Sequence, residues 1–211
     1  MDREQDLLTG VKIIIIDSGS AWHDAFTYFE HARPKYCGFD AEYYHNQQVL
    51  LIQIAFDNFV FLVRFKVAGS VLVSGDEIPN SFENLLEDKS FVKLGVGVMH
   101  DFLNIRRSLA IYPKGGLELC NLTRNVLNVY PGIHGLKQLS SIVLGVKLNA
   151  SPGRWWAETL SKTQIDYAAK DAVVGLKIFE KLLQQFIFAN PNIPDPYQSF
   201  IENQVDKKFH G

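Results

Sequence analysis

Three apolar runs, residues 36–42, 49–56 and 59–65, follow one another with only short polar breaks, and that succession constrains the fold more than any other feature. Each run is rich in β-branched and aromatic residues and has the length of a strand. The breaks contain Asn46-Gln47 and Asp57-Asn58, polar pairs suited to turns. Strands joined this closely turn back on each other, so the expectation is an antiparallel meander.

The remaining periodicity surrounds that meander with helices. Residues 11–16 form a continuous β-branched run, followed by Trp22, Ala25, Phe26 and Phe29 at helical spacing. A short helix is expected over 81–88, a buried strand over 91–98 and a helix over 100–109. Residues 113–122 read as irregular, and further helices are expected over 122–129, 135–144 and 163–188. The last gives the longest periodic signal, with Ala168, Val173, Leu176, Phe179 and Leu183 among its apolar positions. Pro191, Pro194 and Pro196 end it. The order predicts one α/β domain over residues 1–190, a mixed β-sheet flanked by α-helices, with a loosely packed C-terminal tail over 191–211.

Composition narrows the function classes. The chain has 211 residues, 47% of them hydrophobic and 21% charged, which supports a packed core and argues against wholesale disorder. Its net charge of −2 does not fit a protein that coats nucleic acid non-specifically, where phosphate neutralisation drives binding. An enzyme needs only a basic rim around its cleft. Cys37 and Cys120 cannot build a zinc cluster alone and are expected as free thiols. The acidic, polar N-terminus is unlike a signal or transit peptide, and no apolar stretch approaches the ~20 residues that span a bilayer. The expectation is an intracellular protein, nuclear or cytoplasmic, without membrane insertion.

Five polar residues stand out against this apolar framework. Asp40 and Glu42 end a strand run and, two apart, share one face. Tyr167 and Asp171, four apart in the long helical pattern, share another. Asp101 follows the run Val92-Lys93-Leu94-Gly95-Val96-Gly97-Val98, whose glycines permit close backbone approach. Each alone suits an ordinary surface or helix-start role. Together the four carboxylates make a hard-oxygen environment for two Mg²⁺ or Mn²⁺ ions. Two ions about 3.5–4 Å apart can stabilise both the attacking and leaving oxygens of a phosphodiester displacement. Tyr167, with an ordinary pKa near 10, suits orienting the attacking water better than deprotonating it. Gly95-x-Gly97 is not a dinucleotide fingerprint, because the third glycine position is His100. His100 reads as a neighbour of the site, not a ligand.

The segments Gly38-Phe39-Asp40-Ala41-Glu42, Lys93-Leu94-Gly95-Val96-Gly97 with Asp101, and Tyr167-Ala168-Ala169-Lys170-Asp171 resemble, in order, the three motifs of the DEDDy 3′–5′ exonucleases. Gly135-Leu136-Lys137-Gln138-Leu139 and Trp155-Trp156-Ala157-Glu158 match intervening features. The similarity spans roughly Val11 to Leu183. It is nearest the Werner-syndrome-type and exonuclease 3′–5′ domain branch, with ribonuclease D more distant. The resemblance implies a ribonuclease H-like fold and two-metal hydrolysis from a free 3′ end, releasing nucleoside 5′-monophosphates. It implies that Asp40, Glu42 and Asp171 hold one ion, that Asp40 and Asp101 hold the second, and that Tyr167 completes the catalytic set. Two positions depart from the family pattern. Asn121 replaces a frequent Asp, and Ser151-Pro152-Gly153-Arg154 replaces a serine-rich approach to the tryptophan. Neither removes a ligand.

The expected substrate is a single-stranded 3′ end of DNA or RNA, because a terminal nucleotide must leave any duplex to reach the metals. Lys137, Lys147 and Arg154 are candidate phosphate contacts. Trp155, Phe56 and Phe102 are candidate base-stacking residues, each of which would also suit a core. The alternative reading is a catalytically weak module that uses the same fold to bind nucleic acid or protein. Retention of all four carboxylates and the tyrosine favours the enzyme.

Overall fold

The computed structural model describes residues 5–17, 19–44, 48–65, 78–127 and 135–206. Its centre is a six-stranded mixed sheet in the order β1 (Lys12–Ile16), β4 (Phe59–Arg64), β3 (Val49–Phe56), β2 (Tyr36–Tyr43), β5 (Val92–Gly95), β6 (Gly116–Glu118). The expected meander is present as β2 (Tyr36–Tyr43), β3 (Val49–Phe56) and β4 (Phe59–Arg64), paired antiparallel. The turn at Asn46-Gln47 lies outside the described residues. β1 (Lys12–Ile16) adds parallel to β4, while β5 (Val92–Gly95) and β6 (Gly116–Glu118) add parallel on the β2 side. β3 is buried along its whole length, consistent with its uninterrupted apolar run.

Helices cover both faces. α1 (Gly19–Ala32), α2 (Asn80–Glu87) and α3 (Val98–Leu109) pack through Trp22, Phe29, Phe82, Phe102 and Ile105 onto the side that carries Phe39, Ile52 and Phe61. The opposite side is crossed by α6 (Lys162–Ala189), with α4 (Leu119–Leu127), α5 (Leu136–Leu139) and α7 (Pro196–Asp206) around it. α5 runs directly into a single π-helical turn, Ser140–Leu144.

The structure corrects several sequence expectations. β5 ends at Gly95, three residues early, because Gly97 takes a left-handed conformation (φ 76°) that turns the chain into α3 at Val98. β6 lies in the stretch that reads as irregular, and α4 begins at Leu119 instead of Leu122. The segment 191–206, expected as part of a loosely packed tail, carries a further helix. Its three prolines end one helix, but Pro196 occupies the first position of another, where a missing N–H costs nothing. Phe200 of α7 is fully buried, 5.6 Å from Phe179 and 5.0 Å from Phe186 between ring centroids.

One glycine determines how closely α6 approaches the sheet. A Cβ at Gly38 would lie 1.9 Å from the Ala172 carbonyl oxygen, a backbone atom that cannot swing aside. Ala168, Ala169 and Ala172 are fully buried and keep the helix surface equally thin. Gly38→Ala must therefore push α6 outward and carry Asp171 away from Asp40. Overpacking of this kind costs about 1–3 kcal/mol. Thermal unfolding should show a clear loss of stability, together with loss of any metal-induced rise in Tm. A variant that melts like the wild type would contradict this packing role.

Candidate metal centre and substrate cleft

The acidic residues converge at the carboxyl ends of β2 and β5, where parallel strands characteristically present ligand sites. Gly38, Asp40 and Glu42 alternate onto the face of β2 beneath α6, and Asp171 descends from the first half of that helix. One carboxylate oxygen from each of Asp40, Glu42 and Asp171 lies within 4.8 Å of the others. Asp101 arrives from the other side of the sheet, in the first turn of α3. It is outside that three-residue group, yet its charge acts on both Asp40 and Glu42.

Close backbone approach at the β5 end makes this convergence possible. A Cβ at Gly95 would lie 2.8 Å from the Phe39 carbonyl oxygen. The Gly97 amide donates to Glu118 Oε2 at 2.7 Å, tying the turn before Asp101 to β6. The β2–β3 register shifts between Glu42 and Tyr43, whose partners on β3 are Leu51 and Val49. Tyr43 donates its hydroxyl to Asp101 Oδ1 at 2.5 Å, while Asp101 Oδ2 is buried without a hydrogen-bond partner. Sequence reading passes over Tyr43, because strict alternation puts it on the face away from Glu42. That face, shared with Phe39 and Ala41, is the one α3 covers and from which Asp101 arrives.

The electrostatics follow from this crowding. Burial, then the charges of Asp171, Asp101 and Glu42, push the Asp40 carboxyl well above the ordinary range. Burial, Asp171 and Asp101 push Glu42 up to about 8. Asp101 is pushed up to about 7, chiefly by burial; the Tyr43 hydroxyl opposes that shift and Glu118 adds to it. The Tyr167 phenol is also raised, by burial first, then by the charge of Asp171 and its hydrogen bond to that residue. Burial and the neighbouring carboxylates thus favour the protonated phenol, a hydrogen-bond donor.

Between these groups lies a cleft of about 260 Å³, lined by Asp40, Glu42, Gly95, Leu136, Ser151 and Tyr167, among others. A second hollow of about 160 Å³ adjoins it across Tyr167 and Asp171 and is lined by Asn149, Pro152, Thr163, Asp166 and Lys170. The loop along this border is held from both ends. Gln164 Nε2 donates to the Gly153 and Arg154 carbonyls at 2.9 and 3.0 Å, while Ser161 and Gln164 form a capping box that starts α6. The buried Arg64, at the end of β4, donates to the Ala157 and Glu158 carbonyls at 2.7 and 3.0 Å.

The candidate substrate contacts divide. Lys137 is exposed beside the cleft-lining Leu136, and Arg154 and Lys147 are exposed as well. Trp155, expected at the substrate, is only 6% exposed and packs against Tyr167 at 6.0 Å between rings. Phe56 and Phe102 are likewise in the core. The indole that reaches solvent is its neighbour Trp156, 48% exposed and edge-on to Tyr44 at 5.4 Å. Cys37 and Cys120 are buried free thiols, and among the described residues no helix is long and apolar enough to cross a membrane.

A family model described as 3′–5′ exonuclease matches residues 27–187 of this sequence. The chain belongs to the 3′–5′ exonuclease family. Within it, human (Homo sapiens) exonuclease 3′–5′ domain-containing protein 2 is 30% identical over 118 residues, 54% of this chain and 19% of that protein. The exonuclease-family chain thus spans about a fifth of the length of that relative. Among solved structures, the Aedes aegypti Nibbler EXO domain superposes with a TM-score of 0.75 at 20% identity, covering 90% of this chain and 94% of that one. Brucella melitensis NrnC with bound Mg²⁺ superposes with a TM-score of 0.63 at 18% identity, covering 94% and 92%. At these identities the likeness establishes the fold, and the mixed sheet flanked by helices is ribonuclease H-like, as expected from the motifs.

Proposed function

We propose that this chain is a metal-dependent 3′–5′ exonuclease that hydrolyses nucleic acid from a free 3′ end and releases nucleoside 5′-monophosphates. One observation carries the reading: Asp40, Glu42 and Asp171 present carboxylate oxygens to a common point, and the charge of Asp101 reaches the same cluster. The residues fit divalent cations. All the donors are hard carboxylate oxygens, and Asp101 Oδ2 is a buried acceptor lacking any protein donor. Among family-fold structures, those of Brucella melitensis NrnC include one with bound Mg²⁺ and one bound to pGG, which supports the same chemistry here.

Asp40, Glu42 and Asp171 hold one ion in this reading, and Asp40 and Asp101 the second. Mg²⁺ or Mn²⁺ ions bound there supply positive charge to the oxygens that attack and leave phosphorus. The chain's own groups do the rest. Tyr167 stays protonated and orients the attacking water through its hydroxyl, with its ring wedged against Trp155. Lys137 and Arg154 meet the phosphates of the last nucleotides at the cleft border. Trp156 and Tyr44 offer the exposed aromatic surface on which a base of the incoming single strand stacks.

The direct test is digestion of matched 5′-labelled DNA and RNA, linear and circular, with Mg²⁺, Mn²⁺ or chelator. Stepwise shortening of linear strands is expected, with mononucleotide release, resistance of circles and of 3′-blocked ends, and silence in chelator. Cutting of circles at a comparable rate would remove the exonuclease reading. Tyr167→Phe should lower turnover by about 10²–10⁴-fold, the usual range for a positioning or acid–base group, a larger loss than any weakening of metal-induced stabilisation. Wild-type turnover in this variant would reassign Tyr167 to packing.

A further inference from the structure

Gln53 is buried where a side-chain amide has no apparent structural use. It lies in the middle of β3, directly opposite Asp40 in the β2–β3 ladder. Opposite residues of an antiparallel pair project to the same face, with Cβ atoms about 4.5–5.5 Å apart. That face is the one beneath α6, where the helix contributes Ala168, Ala169 and Ala172. Leu51 and Ala55 flank Gln53 along β3, and Leu62 is its partner on β4. The amide is 0% exposed, and neither its Nε2 nor its Oε1 has a hydrogen-bond partner among the described residues.

An unsatisfied buried polar group costs about 1–3 kcal/mol. Stability alone would therefore place an apolar side chain of similar volume here. Asp40 is the polar side chain that the ladder sets beside this amide, and in the proposed function it is shared by both ions. A carboxylate that bridges cations still has lone pairs to satisfy, and ligating carboxylates are themselves generally hydrogen-bonded by an outer shell that fixes their orientation. Two unused amide donors next to such a carboxylate match that need.

We propose that Gln53 is the positioning residue of Asp40, donating from Nε2 to its carboxylate and fixing its orientation when divalent ions bind. This rests on the reading of Asp40 as a metal ligand.

Gln53→Met tests it, because it preserves volume and removes only the polar atoms. Without metal, the variant should melt at or above the wild-type temperature. The Mn²⁺ concentration giving half of the metal-induced rise in Tm, checked by electron paramagnetic resonance of free Mn²⁺, should increase about 10-fold or more, the usual effect of losing an outer-shell partner. A packing role alone would lower Tm and leave that midpoint in place. An unchanged Mn²⁺ midpoint overturns the proposal. If Gln53→Met does not fold, the wild-type protein decides the matter by NMR. Saturation with diamagnetic Mg²⁺ should shift the Gln53 side-chain NH₂ signals and slow their exchange; signals that do not move overturn the proposal. Wild-type protein that binds neither ion removes the metal reading itself, and Gln53's role with it. Wild-type binding with an unchanged variant removes Gln53's role alone.

Discussion

Asp40→Asn combined with Glu42→Gln is expected to reduce mononucleotide release by roughly 10³-fold or more while making the metal-free protein more stable. The loss follows because amides keep the shape of the site but not the charge that holds divalent ions. Such ions contribute several kcal/mol of charge stabilisation, and each ~1.4 kcal/mol is tenfold in rate. The gain follows because Asp40 and Glu42 are pushed upward by burial and by each other's neighbours, so their charged forms oppose folding. Nuclease assays on a labelled strand and thermal melting in chelator at pH 8 measure the two effects separately. Opposite signs distinguish an emptied metal site from a damaged fold. Undiminished release by a folded double variant would sink the assignment of these carboxylates.

The parts of this site that were legible in the sequence are those governed by local periodicity. Asp40 and Glu42 share a face because a strand has period two, and Tyr167 and Asp171 share one because a helix brings residues four apart together. The meander was legible because its turns are short. What stayed hidden depends on partners distant in sequence. β6 is three residues long and exists only through its register with β5. Tyr43 reaches Asp101 because α3 packs on the face of β2 that carries Phe39, Ala41 and Tyr43, and no local pattern names that distant partner. Gln53 reads as one more position in a buried strand until its partner across the ladder is known.

Trp155 and Trp156 illustrate the same limit differently. They are adjacent in a segment with no regular period, so nothing local says which one points inward. Arg64 settles it from β4, by drawing the Ala157 and Glu158 carbonyls toward the sheet. That hold seats Trp155 against Tyr167 and leaves Trp156 outside. The tail shows a third case. Three prolines forbid continuation of α6, but they do not forbid a new helix that begins on one of them.

Divalent ions should raise the melting temperature much more at pH 8 than at pH 5. Without metal, Glu42 and Asp101 bind their protons more tightly folded than unfolded, with folded values of about 8 and about 7. Unfolded carboxyls titrate near 4. Between those limits the folded state holds more protons than the unfolded one, so stability falls as pH rises. The contribution is whole below about pH 4 and is lost progressively up to about pH 8, where the cluster is fully charged. Mg²⁺ or Mn²⁺ held by the charged cluster as proposed would bind only the folded state and so restore what deprotonation removed. At pH 5 the ions must first displace protons, and their effect shrinks. Ca²⁺, larger and more loosely coordinated, should also stabilise at pH 8 yet support little hydrolysis. The Asp40→Asn, Glu42→Gln variant isolates the cluster, because its melting temperature in chelator should fall less between pH 5 and pH 8 than that of the wild type. Equal metal-induced shifts at both pH values, or equal pH slopes for the two proteins, would mean that these carboxylates do not titrate as a group and that the cations bind elsewhere.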